Sequence, residues 1–465
     1  MTERIRTVSF RVVLVLAACG VACAGVFSSP VQAASTPAAT GRPAAETAAG
    51  ATLASELLTQ RSITSAPKDL AAVGGSQLAG SGVVVNYPSA ASRRLPSIGC
   101  SAYTVADAGT GQVLAGLTGV DASGEHPHIR HELMQSTVEI VTGICSTVSE
   151  TRVDLEKNIA ELRRSAENHG IVLACSGTHP VSNWHDAKMA PIKRYAEIVE
   201  QMQWLARRIQ TFGVHVHVGL RDGSKAIPIV NALASYLPHF LALTASSPFW
   251  SGEDTGLAST RAIIFGDLPT AGPPHRLSDW GEFEEYMDTL LRARSIRSIK
   301  EVWWDIRPHA DIGTVEIRMF DGLPTAREVA MVTALSQSLV QLFDAQLDRG
   351  YRLPSPSSWV VRDNKWRATR YGLDATVITD ESGTTAPLRD ELYELVRELE
   401  PVADRLGCLE ELQVASEVLE YGASYERQRA ILAHVGEMTD VVDALVTEFA
   451  EDRFVIPGEG GHGRK

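Results

Sequence analysis

Residues 214–219, Val-His-Val-His-Val-Gly, constrain the fold most because apolar and polar residues alternate strictly there. Strand side chains point to opposite faces in turn, so the valines are predicted to face a core and His215 and His217 to share the other face. Two imidazoles on one face suit a ligand pair or a phosphate contact. They also suit two partly buried histidines satisfied by neighbours, and this segment alone leaves both interpretations open.

A second segment, residues 313–321, alternates in the same way. The pattern predicts a strand whose apolar face holds Val315, Ile317 and Met319. The other face is predicted to hold Glu316, Arg318 and Phe320. A carboxylate and a guanidinium two residues apart suit a site that holds a cation and an anionic substrate together. The alternative is a solvated strand face with a cross-strand ion pair.

Glu139 lies in a run of mostly β-branched and hydroxyl residues at 136–142, which predicts a strand. A carboxylate in such surroundings is expected to be paired or metal-bound, because an isolated buried charge is costly. Glu132, in the same region, is ambiguous and also fits an ordinary surface acid.

Residues 303–309 read Trp-Trp-Asp-Ile-Arg-Pro-His, and an extended conformation would place Asp305, Arg307 and His309 on one side. The alternative is an edge strand anchored by tryptophan with polar groups facing solvent.

Residues 364–372 interleave basic and aromatic residues, including Arg367 and Arg370. Such a segment suits contact with a triphosphate or a carboxylate. It also fits the basic start of a helix packed by its aromatic residues.

Periodicity elsewhere predicts helices and strands without strict alternation, which favours a largely antiparallel α+β fold over a doubly wound one. Thr147 and Glu150 form a plausible capping box for the first helix. The helices are predicted at 149–169, 194–212, 227–246 (interrupted by Pro238) and 325–348, and in two or three segments from 387 to 450. The strands are predicted at 171–175, 214–220 and 313–320.

Composition divides the chain into a body and flanking segments. Residues 35–94 are rich in Ala, Ser, Thr, Gly and Pro, which predicts a disordered linker, and 456–465 are predicted to be a disordered tail. The body, residues 95–455, is predicted to be one domain. The chain has a net charge of −13, which argues against nucleic acid as the main partner.

Residues 1–34 differ from the rest. Arginines precede an apolar run from Val12 to Phe27, and a small-residue pattern follows at 31–33, which indicates a secretory signal peptide. Residues 16–19 also resemble a lipoprotein box. A start assigned too far upstream is the alternative. We therefore expect export or lipid anchoring if the leader is real, and a cytoplasmic location otherwise.

The cysteines show no CxxC pair, and burial as small hydrophobes is the favoured interpretation. A Cys145–Cys175 disulfide is a second possibility for an exported chain. No stretch after the leader is predicted to span a membrane. The oligomeric state is not predicted.

These segments in this order resemble the type 2 glutamate–cysteine ligase family, also called the carboxylate–amine ligases. About 350 residues carry the resemblance. The matching runs are HELMQSTVEIVTG at 131–143, GTHP at 177–180, VHVHVG at 214–219, SSPFWSGEDTG at 246–256, LPTAGPP at 268–274, WWDIRPH at 303–309, GTVEIRMFDG at 313–322 and NKWRATRYGLDA at 364–375.

The resemblance implies a glutamine-synthetase-like fold, in which a curved antiparallel sheet forms a cup with helices packed outside. It implies an ATP-dependent reaction that activates the γ-carboxylate of glutamate as an acyl phosphate, which the amine of cysteine or another amine then attacks. ATP and Mg²⁺ are the implied cofactors, because divalent cations screen the repulsion between two anions.

The resemblance also assigns roles to residues. The expected metal ligands are Glu139, Glu316 and one of His215 and His217. Arg318, with Glu316, is expected to act on the phosphoryl group. The expected nucleotide or substrate contacts are Arg307, Arg367 and Arg370.

One departure from the family pattern lies at residues 99–104. The family has a strand there with two metal-binding glutamates, whereas this chain has Ser101 and Tyr103. Hydroxyl groups are poor substitutes for carboxylates around magnesium. Two functional hypotheses follow: a weak glutamate–cysteine ligase, or a catalytically impaired exported paralogue that binds a ligand or partner in the same cup.

Overall fold

The computed structural model describes residues 10–20, 128–168 and 171–458, the first of these by its backbone alone. Its central feature is a seven-stranded sheet. The strands of this sheet are β1 Phe10–Gly20, β2 Ile129–His131, β3 Thr137–Val141, β4 Ile171–Ala174, β5 Gly213–Gly219, β8 Ile306–His309 and β9 Thr314–Asp321. Their order in the sheet is β2-β3-β1-β5-β9-β8, and β4 also pairs with β1. Two small hairpins are formed by β6 Phe249–Trp250 with β7 Glu253–Asp254, and by β10 Thr376–Ile378 with β11 Thr385–Pro387.

All pairings within this sheet are antiparallel, as expected for the predicted α+β class. One face is apolar and packs against helices, because the valines of β5 and Val315 and Ile317 of β9 are fully buried in the main core. Cross-strand register places His217 beside Glu316, and Glu316 beside Arg307. Residues in register share a face, so the predicted polar face is assembled from three strands.

The helices of the described residues surround this sheet. Their bounds are α1 Val148–Glu167, α2 Lys193–Met202, α3 Trp204–Arg207, α4 Ala226–Leu233, α5 Leu237–Thr244, α6 Thr260–Gly266, α7 Trp280–Arg292, α8 Ala326–Asp348, α9 Ser358–Tyr371, α10 Leu388–Leu406, α11 Leu409–Tyr421, α12 Ser424–Val435 and α13 Met438–Glu451. The long helix α8 packs against β5, α1 and the C-terminal helices, and α5 packs against β9.

Strand β1 comes from the segment predicted to be a leader. Its backbone lies between β3 and β5, with Val15 in register with Glu139 and Val13 in register with His215. A chain that retains these residues therefore uses them as a central strand, and removal of the leader stays a prediction about processing. The linker at 35–94 and residues 99–104, including Ser101 and Tyr103, lie outside the described residues.

The helix predictions hold where local signals are strong. Thr147 caps α1 by accepting a hydrogen bond from the Glu150 amide, although the Glu150 carboxylate accepts from Ser146 rather than closing the predicted box. The helix predicted at 194–212 is broken at Gln203, which has a φ of 49°. The C-terminal region folds as four helices, α10 to α13, rather than two or three.

The predicted faces of β9 are wrong at its C-terminal end. The register between β5 and β9 shifts between Val214 and Val216, where an irregularity interrupts the ladder. Phe320 consequently turns into the core, where its ring meets Phe240 edge-on at 5.3 Å. A bulge adds a residue to one strand and so reverses the alternation beyond it.

The prediction that nothing after the leader could span a membrane needs a correction. The helical run Gly223–Thr244 has the length and hydropathy of a membrane-crossing helix. Within the domain 78% of an apolar 18-residue stretch of this run is buried. The run begins with a 3₁₀ turn at Gly223–Lys225 and continues through α4 and α5, which a second 3₁₀ turn joins. Such burial is typical of a core helix.

The described cysteines are buried as small hydrophobic residues, as the favoured interpretation predicted. Cys145, Cys175 and Cys408 are buried thiols, so the alternative Cys145–Cys175 disulfide does not form in this structure. Cys145 lies beside the Gly143 carbonyl, whereas Cys175 packs close to Gly322 at the end of β9. Each sulfur is thus held by a different part of the domain.

A buried carboxylate, Asp321, ties the end of β9 to neighbouring loops. It accepts hydrogen bonds from the Ser246 amide at 3.0 Å and from the hydroxyls of Ser247 at 2.7 Å and Ser259 at 2.8 Å. Gly177 lies against this network, since a Cβ built there would be 2.6 Å from the Asp321 carboxylate. Any side chain larger than the glycine hydrogen would therefore force Asp321 or its neighbours to move.

We predict that Gly177→Ala lowers the free energy of unfolding by about 1–3 kcal/mol, the usual cost of overpacking. Gly223→Ala is the matched control, because a Cβ at that position meets nothing within 4 Å. Urea denaturation of both variants measures the difference. Equal stabilities of the two variants would contradict the tight packing at Asp321.

Candidate active site

Glu316 is the centre of the polar sheet face. Its carboxylate is 3% exposed and accepts from Arg307 Nε at 2.7 Å through Oε2, and from Arg318 Nη1 through Oε1. Burial alone would raise the pKa of Glu316, but Arg318 and Arg307 more than offset it and hold that pKa well below its usual range. The carboxylate therefore stays ionised at neutral pH.

Both arginines are fixed by backbone groups. Arg307 Nη1 donates to the carbonyls of Val302 at 2.5 Å and Ile299 at 3.1 Å, which anchors the guanidinium at the β8 edge. The backbone amide of Arg318 donates to the Asp305 carbonyl at 2.7 Å. Arg261, buried beneath, donates to the Arg318 carbonyl at 3.1 Å.

Three histidines surround the carboxylate in neutral form. His217 Nε2 lies 3.6 Å and His215 Nδ1 3.8 Å from Glu316 Oε1, and the His309 ring lies 5.6 Å from the His217 ring. Burial lowers the pKa of His217 to about 3 and that of His215 well below its usual value, despite the nearby carboxylate. Burial also lowers the pKa of His309.

Arg318 retains an unused donor. Its Nε is buried and has no hydrogen-bond partner in the described part of the chain, and the same holds for His309 Nδ1. Buried polar atoms are normally satisfied, so an orphaned guanidinium nitrogen indicates a group that binds there. An anion is the natural partner of Arg318 Nε.

Acidic and phenolic groups extend the site toward β3. Burial raises the pKa of Glu132, and the charges of Arg194 and Arg318 partly offset this. Burial and then the carboxylates of Glu132 and Glu139 raise the pKa of Tyr195. Sequence reasoning missed Tyr195 and left Glu132 ambiguous, because α2 carries no pattern that connects it to the sheet.

The predicted metal ligands are only partly brought together. His215, His217 and Glu316 converge, whereas Glu139 pairs with Arg130 at 3.9 Å. Among the described residues, no group of three or more His, Cys, Asp or Glu could hold a metal ion.

The charges around Glu316 explain this misfit. Both carboxylate oxygens already face guanidinium groups, and a divalent cation would meet their repulsion. The segment Phe10–Gly20, which lies in the sheet between Glu139 and His215, contains no acidic residue. The described residues therefore do not fit the implied magnesium.

The remaining predicted contacts lie elsewhere. Arg367 pairs with Asp363 at 2.6 Å and donates to the Thr376 carbonyl at 3.1 Å. Arg370 donates to the Gly256 carbonyl and lies over the Tyr371 ring. These contacts hold α9 in place, and a role in binding nucleotide or substrate stays a prediction for both residues.

Comparisons with known proteins agree with the geometry. The family model described as glutamate–cysteine ligase family 2 (GCS2) matches residues 101–448. A Thermobifida fusca protein named as a candidate glutamate–cysteine ligase 2 is 68% identical over 354 residues, covering 76% of this chain and 88% of the relative. A Frankia alni protein named as a candidate glutamate–cysteine ligase 2-1 is 54% identical over 330 residues, covering 71% of this chain and 86% of the relative.

Solved structures share the fold at low identity. Glutamate–cysteine ligase from Francisella tularensis, solved in complex with AMP, matches with a TM-score of 0.55 at 11% identity, covering 70% of this chain and 82% of that one. A bifunctional glutathione synthetase from Pasteurella multocida matches with a TM-score of 0.52 at 13% identity, covering 70% of this chain and 48% of that one. The α+β, glutamine-synthetase-like fold class is thereby confirmed.

We predict that His217 makes folding stability depend on pH. Its folded pKa of about 3 lies below the ordinary 6.5, so between these values the unfolded chain binds a proton that the folded chain does not. Stability must therefore fall as pH falls through this window, by up to about 1.4 kcal/mol per pH unit. His217→Asn should reduce the slope of unfolding free energy against pH in this window by up to about 1.4 kcal/mol per pH unit.

Exposed His434 supplies the control. His434→Asn should keep the wild-type slope in denaturant titrations between about pH 6 and 4.5. A wild-type slope in His217→Asn would show that the imidazole is protonated in the folded state.

Proposed function

Because the chain belongs to glutamate–cysteine ligase family 2, we propose that it is an ATP-dependent carboxylate–amine ligase that joins glutamate to cysteine. The proposed reaction moves the γ-phosphoryl group of ATP to the glutamate γ-carboxylate and releases ADP. The cysteine nitrogen then bonds to the acyl carbon, the bond to phosphate breaks, and the amine proton passes to solvent. The product is γ-glutamylcysteine.

The observation that carries this proposal is Arg318, whose side chain is 11% exposed: Glu316 accepts from one of its donors, while its buried Nε has no hydrogen-bond partner among the described residues. An arginine that a carboxylate already holds in place needs little reorganisation when negative charge develops on a transferring phosphoryl group. Glu316 orients the guanidinium of Arg318, and Arg307 orients Glu316 by donating to its Oε2. The unpartnered Nε is the atom that would donate to the phosphoryl or acyl-phosphate oxygen.

The neutral histidines fit the same role. Imidazoles that stay uncharged at neutral pH can donate or accept one hydrogen bond without adding a positive charge beside Arg318. On the same face, His309 Nδ1 has no hydrogen-bond partner within the part of the chain that the structure describes, whereas His217 Nδ1 lies 3.0 Å from Thr314 Oγ1. His309 is therefore the imidazole with capacity for a substrate.

Magnesium is implied by the family and supplies charge screening when it is bound. The described residues offer it no ligand group, so the proposal assigns no step to it. This same misfit, with Ser101 and Tyr103 in the sequence, favours a second candidate function. In that alternative the protein is an exported paralogue whose cup binds an amino acid or a partner without turnover.

We predict that Arg318→Ala lowers ATP-dependent turnover by about 10²–10³, the usual cost of one strong electrostatic contributor. Release of ADP with glutamate, cysteine and magnesium present is the measurement. Arg318→Lys should recover only part of the rate, because ammonium lacks the planar fork. Arg397→Ala, at an exposed position, is the matched control and should keep the wild-type rate.

Two outcomes separate the candidates. An active wild type that loses turnover in Arg318→Ala supports the ligase. A wild type without ADP release that still binds glutamate by calorimetry, with binding lost in Arg318→Ala, supports the non-catalytic cup. Full turnover in folded Arg318→Ala would contradict the proposed role of this residue.

A further inference from the structure

Residues 191–203 carry helix α2 and lie on the domain without being embedded in it. The structure describes every one of these residues, and none of them is buried. Tertiary packing supplies most of the stability of a short helix, so an element with no buried side chain is weakly held in one position. We call residues 191–203 the α2 lid.

The two ends of the α2 lid are held differently. Before the lid, the Ala190 amide donates to the Leu133 carbonyl at 2.8 Å, which fixes this end to the segment that precedes β3. At its other end, Gln203 has φ 49° and ψ −120°. Glycine adopts this conformation readily, but it is strained for any residue with a Cβ. The strain marks Gln203 as a hinge.

A groove of about 400 Å³ separates the outer side of the α2 lid from the loop at 294–301, and every residue that lines it is charged or polar. Across this groove Arg297 donates to Glu197 at 2.6 Å and to Gln201 at 3.4 Å. The side chains of Arg297 and Glu197 are 56% and 41% exposed. Exposed ion pairs contribute little to stability, so the lid is weakly tied on this side.

The inner side of the α2 lid faces the polar sheet face. Burial and then the carboxylates of Glu132 and Glu139 raise the pKa of Tyr195, so the phenol lies close to both acids. Burial also raises the pKa of Glu132, and the charges of Arg194 on the lid and Arg318 in the site oppose that rise. The lid therefore brings a positive charge to the same carboxylate that Arg318 acts on.

We propose that the α2 lid turns about Gln203 between an open position that admits substrates and the closed position of this structure. The ion pairs across the groove favour closure and the strain at Gln203 opposes it, so neither position is strongly favoured. An anion bound at Arg318 favours closure, because only the closed lid brings Arg194 near that anion.

This inference rests on the proposed function in one respect, since the anion is the glutamate γ-carboxylate or its acyl phosphate. Closure then keeps water from the acyl phosphate. With the lid open, water would add to the acyl carbon and the bond to phosphate would break. Glutamate and inorganic phosphate would leave, and ATP would be consumed without product.

The hinge is tested by hydrogen–deuterium exchange of the full chain without ligand, measured by mass spectrometry on peptides from 191–203. Gln203→Gly removes the strain from the closed position, so exchange should slow by about threefold or more. Gln203→Ala is the matched control, because it loses the same side chain and keeps the strain, and it should not slow exchange. Glycine at an unstrained hinge would speed exchange instead, because it gives the open chain more freedom. Unchanged or faster exchange in Gln203→Gly would overturn the proposal.

Closure on a ligand is tested by adding glutamate, magnesium and a non-hydrolysable ATP analogue to the same experiment. Exchange of residues 191–203 in the wild type should slow by about tenfold or more. Arg194→Ala should lose most of this protection, whereas Lys193→Ala, at the exposed neighbouring position, should keep it. Bound ligands that leave the exchange of the lid unchanged, or equal losses in the two variants, would contradict closure through Arg194.

The ratio of ADP released to γ-glutamylcysteine formed separates this inference from the proposed function. Glu197→Ala removes an ion pair of the closed lid and should raise the ratio by about twofold or more. Glu285→Ala, at an exposed position of α7 outside the groove, should leave it unchanged. Turnover with wild-type exchange in Gln203→Gly would sink the lid and leave the ligase standing. Slower exchange in Gln203→Gly in a protein that never releases ADP would do the reverse.

Discussion

The site depends on one buried carboxylate held between two guanidinium groups. Glu316 lies on β9, Arg307 lies opposite on β8, and Arg318 follows two residues later on the same face. Removing one partner from such a buried group is costly, because it leaves an uncompensated charge in a low-dielectric setting. The ion pair between Arg307 and Glu316 therefore requires that β8 and β9 pair in this register.

This arrangement also determines what the site can bind. Arg307 and Arg318 place two positive charges against the single negative charge of Glu316. The centre of the sheet face is therefore suited to an anion and not to a cation. The neutral histidines add hydrogen-bonding groups without altering that balance. Within the described residues, no acidic cluster offsets these two guanidinium groups.

Much of the site could be predicted where the sequence pattern lies within one strand. Strict alternation of apolar and polar residues predicted that His215 and His217 share a face, and the same pattern predicted that Glu316 lies beside Arg318. The helix cap at Thr147 followed from its hydroxyl and spacing.

The errors come from contacts between distant segments. The irregular register between β5 and β9 turned Phe320 into the core, and no local pattern announces such a shift. The ion pair between Arg307 and Glu316 was not predicted, because it depends on the pairing of β8 with β9, and a role of Arg307 in binding nucleotide or substrate stays a prediction.

The most direct test of the account is the stability of Glu316→Gln. Both arginines would lose their anionic partner, so the free energy of unfolding should fall by about 3–5 kcal/mol in denaturant titrations at neutral pH. Glu394→Gln, at an exposed ion pair, should change it by less than about 1 kcal/mol. Equal, small effects of the two substitutions would contradict the claim that Glu316 holds the site together.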